Sequence, residues 1–368
     1  MVNGDAGRFV TVAVPTLNEE KHVRRCLESL LDQTDSASSE ILVLDGGSTD
    51  ATRAIVAEMA RAHPHLRLID NPKRVQSAAI NLAATLASPR SRILVRADAH
   101  ASYPKDFIRR CTDALLGSGA ASTVVPMRTV GHGCFQRAVA LAQNSLIGNG
   151  GARHRVGGHG GFVEHGHHAA FDLDTFRRLG GYDERFTHNE DAEFDHRLTA
   201  AGGRIFMCAE ATVEYFPRER ALALARQYYS HGRGRARTLL THRARPRLRQ
   251  LLPPAALVGS VGGLALGTLE PLFLAVPLAY VGVCNGVAVT QALRSRDRCI
   301  LAAGFAAMIM HFSWAIGFLG MLSKAALAGS GLQAGGAAGV PLPQPAHMGG
   351  SRPSSHQLRL PEGLPDGS

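Results

Sequence analysis

The sequence predicts an α/β fold: a mostly parallel sheet covered by helices, followed by C-terminal transmembrane helices. Three observations carry that reading. Short apolar runs alternate with helix-period segments over the first third of the chain. Polar residues stand where the apolar runs stop. Beyond Leu251 the composition changes to long stretches without Lys or Arg. Strand–helix alternation points to a parallel sheet with helices on its faces. Apolar stretches of about 20 residues have the length to span a bilayer.

Residues 9–14 read as a buried strand, and Val23, Leu27, Leu30 and Leu31 give a helical stripe. Residues 41–44 are a second strand, followed by a helix marked by Ile55, Val56 and Met59. Residues 66–69, 93–95 and 122–125 are further short strands. Residues 131–166, rich in Gly, His and Arg, read as loop. Residues 171–198 read as a helix, a turn through Gly180-Gly181 and a second helix carrying Glu190, Asp191, Phe194 and Leu198. Residues 205–207 and 212–216 are expected edge strands. Residues 251–269, 271–293 and 299–323 are expected spans, about three in all, the first two forming a hairpin that turns at 267–271. Buried helices or a re-entrant hairpin are the alternative for these two. The expected division is 8–130 and 131–250 for the two halves of the sheet domain, 251–325 for the membrane helices and 326–368 for a disordered, Gly- and Pro-rich tail.

Composition narrows the partners. The net charge of +10 calls for anionic ones. The charge gathers between Arg218 and Arg249, immediately before the first long apolar stretch, which favours a membrane surface. Only Tyr228 and Tyr229 interleave with these arginines, so nucleic acid is not expected as a partner. Arg294, Arg296 and Arg298 fall on the same side as the Arg-rich segment, and the positive-inside rule puts both on the cytoplasmic face. The first residues form neither a basic n-region nor an apolar h-region, so no cleaved signal peptide is expected and the N-terminal half stays in the cytosol. The six cysteines include no C-x-x-C pair, so neither a zinc site nor a disulfide framework is expected, and a reducing compartment fits. The expected location is the inner cell membrane, multi-pass, with the sheet domain cytoplasmic. Oligomeric state is not encoded in any pattern seen here.

Several clusters carry chemistry. Asp98-Ala99-His100 closes the run Ile93-Leu94-Val95. A rigid strand end with a carboxylate and an imidazole suits a divalent metal on a diphosphate, and the imidazole favours manganese over magnesium. The alternative is that Asp98 caps the helix entered through Pro104. Asp45-Gly46-Gly47-Ser48-Thr49-Asp50 follows the second strand, and its glycines let the backbone approach a ligand. A plain strand-turn-helix with a cap is the other reading. Pro15, Thr16 and Asn18 follow the first strand and offer hydrogen bonds, while Glu19 and Glu20 suit a helix N-terminus. In an open α/β sheet these strand ends converge on one crevice. Glu190-Asp191 supplies a general base, with Asp191 the base and Glu190 orienting it, or else is an ordinary acidic helix start. His154, His159, His165, His167 and His168 match no metal template, and one or two of them suit contacts to an acceptor or diphosphate. Arg233 or Arg235 could reach a diphosphate.

The segments Val-Pro-Thr-Leu-Asn-Glu-Glu (14–20), Leu-Asp-Gly-Gly-Ser-Thr-Asp (44–50), Arg-Ala-Asp-Ala-His (96–100) and Gly-Gly-Tyr-Asp-Glu (180–184) followed by Asn-Glu-Asp (189–191) occur in this order. Together they resemble family 2 glycosyltransferases of the GT-A fold, over residues 9 to about 240. Residues 71–78 and 166–169 resemble the branch named for the succinoglycan biosynthesis protein ExoA. That branch is associated with β-1,3-glucosyl transfer onto a galactosyl diphosphate lipid. The resemblance implies a membrane-anchored inverting enzyme using a UDP-sugar and Mn2+ or Mg2+, with a lipid-linked saccharide as acceptor and exopolysaccharide as the product. Residues 8–130 would be the nucleotide-sugar half and 131–250 the acceptor half. Pro15, Thr16, Asn18, Glu19, Asp45, Arg74 and Asp98 would bind the nucleotide sugar. Asp98 and His100 would hold the metal, Asp191 with Glu190 would be catalytic, and Arg233 and Arg235 would meet diphosphate. His100 stands where the family usually has an aspartate. The Gln-x-x-Arg-Trp motif of processive synthases is absent, and Gln227 with Arg233 or Arg235 is a loose analogue, which favours single-sugar addition. A processive synthase and a non-catalytic nucleotide-sugar-binding membrane protein are the competing readings.

Overall fold

Val, Ile and Leu dominate the strands because both faces of the sheet are covered. The computed structural model describes residues 9–34, 39–150 and 160–329. Its strands are β1 (Val10–Thr16), β2 (Ser39–Asp45), β3 (Leu66–Asp70), β4 (Ile93–Arg96), β5 (Ser122–Val125), β6 (Met127–Thr129), β7 (Gly161–Val163), β8 (His167–Asp172), β9 (Ile205–Met207) and β10 (Val213–Tyr215). The helices of the sheet domain are α1 (Val23–Leu31), α2 (Thr52–Ala62), α3 (Gln76–Leu86), α4 (Phe107–Ser118), α5 (Cys134–Asn144), α6 (Leu146–Asn149), α7 (Leu173–Arg178), α8 (Glu190–Ala200) and α9 (Ala221–His242). Three more follow: α10 (Leu248–Leu266), α11 (Ala275–Ser295) and α12 (Ala303–Leu327).

Among the described residues the main sheet has the order β3-β2-β1-β4-β8-β5-β9-β7, and β6 pairs with β10 beside it. Strands β3, β2, β1 and β4 pair in parallel. β8 runs antiparallel between β4 and β5, and β5 pairs in parallel with β9. Strand alternation divides the core. Val12, Val14, Ile41, Val43 and Val95 pack against Leu27, Leu30 and Phe107. Ala13, Leu42, Leu44 and Leu94 pack on the other face with Ile80, Phe171, Phe176 and Phe194. Thr16 pairs with Asp45, and Asp45 with Asp70, so the strands end level and their polar residues gather at one edge.

Two expectations fail within the sheet domain. Residues 131–166 hold α5, α6 and β7 rather than only loop. The helical period was present in Phe135, Ala138, Val139 and Ala142, but glycines on either side obscured it. Residues 171–172 end strand β8 instead of beginning a helix. Its pairing with β4 and β5 is long-range, so local periodicity does not report it.

The C-terminal part also departs from the expectation. Among the described residues two segments, Pro271–Ser295 and Arg298–Leu327, are long and apolar enough to cross a membrane, not three. The expected span at 251–269 is α10, whose first turn carries Arg249 and Gln250. What remains apolar in it measures about 24 Å at 1.5 Å per residue, short of the ~30 Å hydrocarbon core. The chain does fold back near the expected turn, where Gly263 of α10 lies against Phe273 and Pro277. A further correction concerns the cysteines. Cys134 at the start of α5 is disulfide-bonded to Cys299, in the turn between α11 and α12. No spacing rule shows a pair 165 residues apart, and it is the packing of α5 on that turn that joins them. Arg137 and Asp297 add an ion pair at 3.5 Å. The turn with Arg296 and Arg298 therefore sits against the sheet domain. The expected tail from residue 330 onward lies outside the described residues, as do His154 and His159.

α12 is docked on α9 and α5 through Ala306, Ala307 and Met310, which pack with Val139, Ala142 and Leu224. Glycines bring α9 and α12 together. A Cβ on Gly232 would lie 2.0 Å from the Trp314 carbonyl oxygen, and one on Gly317 would lie 2.1 Å from that of Tyr229. Gly317→Leu should part these helices and cost at least the ~1–3 kcal/mol of an overpacked core. A thermal melt of the purified variant in detergent checks this, and an unchanged midpoint would refute it.

Candidate active site

Strand β4 ends in Arg96, and the chain then turns through Asp98 and His100. Arg96 is buried. Its guanidinium lies 3.5 Å from Asp98 Oδ1, 3.3 Å from the Tyr182 hydroxyl and 3.5 Å from Glu190 Oε1. Gln76, at the start of α3, donates to Asp98 Oδ1 at 3.1 Å, and His167 Nε2 lies 3.5 Å from Asp98 Oδ2. Burial alone would raise the Asp98 carboxyl, but the Arg96 charge, with His167 and His100, overrides it and lowers the carboxyl to about 2. His100 Nδ1 is 3.4 Å from Glu19 Oε1, and that contact raises the imidazole.

Glu190 and Asp191 open α8, after Asn189 in a left-handed conformation (φ 69°) that points the helix start at the site. Their titrations are pushed apart. Burial raises Glu190, and Asp191 beside it adds to this against the opposing Arg96 charge. Burial would raise Asp191 as well, but His165, His168 and Arg96 hold it well below the usual carboxylate range. One turn on, Asp195 is buried beneath Asp191. Its Oδ2 is 2.6 Å from His165 Nδ1 and its Oδ1 is 2.8 Å from His168 Nε2. His168 Nδ1 in turn meets the Tyr182 hydroxyl at 2.6 Å. Four carboxyl groups (Asp98, Glu190, Asp191 and Asp195) thus gather around Arg96 and a histidine cluster.

One cavity of about 1650 Å³ collects three of these carboxyl groups, lined by Glu19, Asp98, His100, Glu190, Asp191 and Arg235 among others, while Asp195 is not in its lining. Gln227, His231 and Arg235 share one face of α9 at i, i+4 spacing and line it too. Arg233 is on another face, exposed and over the Tyr229 ring at 5.8 Å, and does not line the cavity. Burial pulls the Arg235 guanidinium down.

The remaining expected residues form a separate corner at the ends of β1 and β2. Asp45 is not in the cavity lining: its carboxylate accepts from the backbone N–H groups of Gly47 and Ser48, from the Ser48 hydroxyl and from Arg53 at 2.7 Å. Pro15 and Thr16 close β1, and the Thr16 hydroxyl is buried without a hydrogen-bond partner. Asn18 Oδ1 accepts from the Thr49 N–H, and Arg74 (φ 59°) donates to the carbonyls of Gly46 and Gly47. This corner adjoins the cavity through Glu19. Sequence reasoning assigned no role to Arg96, Gln76, Tyr182 or Asp195. An arginine ending an apolar strand and an aspartate four residues after Asp191 were the available signals.

Residues 11–180 match Glycosyl transferase family 2. Over 311 residues the chain is 44% identical to the succinoglycan biosynthesis protein ExoA of Rhizobium meliloti, covering 83% of this chain and 93% of that protein. The chain belongs to glycosyltransferase family 2. It is also 24% identical over 238 residues to a Methanococcus voltae dolichyl N-acetyl-α-D-glucosaminyl phosphate 3-β-D-2,3-diacetamido-2,3-dideoxy-β-D-glucuronosyltransferase, covering 61% of this chain and 72% of that one. The fold of this glycosyltransferase is shared with the mannosyltransferase PcManGT of Pyrobaculum calidifontis, solved with GDP-Man and Mn2+, at a TM-score of 0.53 and 19% identity, covering 86% of this chain and 89% of that one.

The family implies a divalent cation. Among the described residues no group of three His, Cys, Asp or Glu could hold one. Two protein donors suffice where substrate phosphates and water complete the shell. Asp98 offers an ionised carboxylate. His100, with Glu19 behind Nδ1, keeps Nε2 for a ligand, the arrangement by which a carboxylate orients a ligating imidazole. The donor set of this glycosyltransferase fits such an ion.

Proposed function

We propose that the protein transfers a single sugar, with inversion, from a UDP-sugar to a lipid-linked saccharide at the cytoplasmic face of the inner membrane. Glucose in β-linkage is the sugar we favour, and assembly of a succinoglycan-type exopolysaccharide the setting, because of the similarity to ExoA. The observation that carries the reading is the single cavity shared by Asp98, His100, Glu190 and Asp191. Asp98 and His100 would hold manganese or magnesium, which when bound stabilises charge on the departing diphosphate. Asp191 accepts the proton of the acceptor hydroxyl as its oxygen bonds the anomeric carbon and the bond to diphosphate breaks. Glu190, tied to Arg96, orients this centre. Holding hydroxyl, base and anomeric carbon in one place supplies much of the acceleration. Glu19 would meet the nucleotide, with the corner of Pro15, Thr16, Asn18, Asp45 and Arg74 beside it. In this reading Asp45 and Arg74 shape the loop at Gly46-Gly47 more than they touch ligand. Exposed Leu264, Leu272, Leu278 and Leu293 on α10, α11 and the turn between them would face lipid.

The test is UDP release from UDP-glucose by membranes containing the protein, with manganese or magnesium. Wild type should turn over only with a cation. His100→Ala should raise the manganese concentration needed for half-maximal rate by about 10–100-fold, as losing a ligand or its support does. Cation-independent turnover, or an unmoved manganese requirement, would refute the metal assignment.

A further inference from the structure

Beyond the carboxylates, the cavity continues into the C-terminal helices. Its far walls include Leu252, Pro253 and Ala256 of α10, Val283 of α11, and Met310 and Trp314 of α12. Between the polar and apolar ends stand two lining arginines, Arg235 on α9 and Arg249 in the first turn of α10. Neither has an ion pair or hydrogen bond among the described residues. The neighbouring Arg247 is paired with Glu164, so this carboxylate is already engaged. Burial lowers the Arg235 guanidinium first, Asp191 opposes this, and the repulsion of Arg249 and Arg247 adds to the lowering. The N-terminal dipole of α10 also opposes cations at that end.

Desolvated guanidiniums that repel one another and hold no direct ion pair are costly in a folded chain, and a bound anion removes that cost. Asp191 and Asp195 attract Arg235, and Glu164 attracts Arg249, only through the field. Guanidinium forks match phosphate oxygens in two-pronged geometry. The donor diphosphate has its own place at Asp98 and His100, where Arg218 is the arginine whose charge His100 feels. Arg235 lies instead on the side of Asp191 and Asp195. We propose that Arg235 and Arg249 form an anion subsite, separate from the donor diphosphate, for the phosphate group that joins the acceptor saccharide to its lipid. The lipid chain then runs along the apolar walls towards the exposed faces of α10 and α11. The subsite rests on the reading of Asp191 as the acceptor-side base.

Binding measured on the full chain in detergent tests this, with farnesyl diphosphate, inorganic pyrophosphate, and UDP with manganese as probes. Wild type should bind farnesyl diphosphate more tightly than pyrophosphate. Arg235→Gln and Arg249→Gln should each weaken farnesyl diphosphate binding by about tenfold or more, the worth of a charge-assisted hydrogen bond. UDP affinity should stay within about twofold, which also shows that the variants are folded. Arg235→Lys should recover part of the loss. Loss of UDP affinity in Arg235→Gln equal to the loss for farnesyl diphosphate would return the arginine to the donor and overturn the proposal. Unchanged farnesyl diphosphate binding in the double variant would overturn it too. Equal wild-type affinity for pyrophosphate and farnesyl diphosphate would remove the lipid as the source of the anion. Failure of the transferase reading itself would look different, as an absence of UDP binding in wild type.

Discussion

Asp191→Asn should lower the rate of sugar transfer by about 10²–10⁴, the range a positioned general base supplies, while donor affinity stays near that of wild type. Asparagine keeps the shape of the side chain, and its carbonyl can still accept the 2.7 Å hydrogen bond from the Ala192 N–H. What it loses is the ability to take a proton. The neighbouring carboxyl gives the control. Glu190 is raised by burial whereas Asp191 is lowered by the charges around it. Adjacent acids driven in opposite directions divide the roles of proton acceptor and orienting group. Glu190→Gln should therefore cost less than Asp191→Asn. Steady-state kinetics with saturating acceptor separate the two through kcat, since a loss confined to the transition state leaves donor KM in place. The reverse order of effects would make Glu190 the base.

In the proposed reading, the buried network beneath Asp191 is what lets that residue act as an acceptor. Asp195 binds His165 and His168 at once, and these histidines, with Arg96, hold Asp191 below the usual carboxylate range. Burial would raise Asp195 too, and the same two imidazoles lower it. Asp195→Asn should therefore loosen both rings and move the acid limb of the pH–rate profile of kcat to higher pH, because Asp191 would protonate more readily. An unmoved limb would mean that the network supports the fold without touching the base.

Local chemistry made most of the sheet legible. Strand ends carry polar residues, and Thr16, Asp45 and Asp98 stand at or just beyond the ends of three neighbouring strands. The Asp98–His100 turn and the Glu190–Asp191 helix start were readable because each is a compact string in sequence. Their meeting in one cavity was inferable only from the rule that ligands gather at the carboxyl ends of parallel strands. Other features depended on distance. Asp45 satisfies its carboxylate with Arg53, in the first turn of the next helix, and a strand-end motif does not reveal that. The Cys134–Cys299 bond joins segments that only tertiary packing brings together. Arg233 and Arg235 look equivalent in sequence, but helical phase puts one in the cavity and the other over Tyr229. Among the described residues the helices long and apolar enough to span a membrane were overcounted, because hydropathy alone treats the first turn of α10, with Arg249, as the flank of a span.

Arg96→Met should be the most damaging single change to the fold. The guanidinium is 7% exposed and faces Asp98, Glu190 and the Tyr182 hydroxyl, with Asp191 also in its field. Removing one partner of a buried charge cluster costs about 3–5 kcal/mol, because the other charges stay behind. For a chain of this length that is roughly 4–7 °C in the melting midpoint. The linkage has a definite sign. In the wild-type chain the Asp98 carboxyl is lowered from 3.8 to about 2. It therefore contributes about 2 kcal/mol of stability that is fully present above the unfolded value and is lost as the pH falls through about 2. Without Arg96 the buried carboxyls titrate higher, so protonation near pH 5 relieves their repulsion. The gap between wild type and variant should be widest near neutral pH and should narrow on mild acidification. Melting both proteins in detergent at the two pH values measures this directly. A gap of constant size would mean that Arg96 serves the fold through packing, not as the counter-charge of the active-site carboxylates.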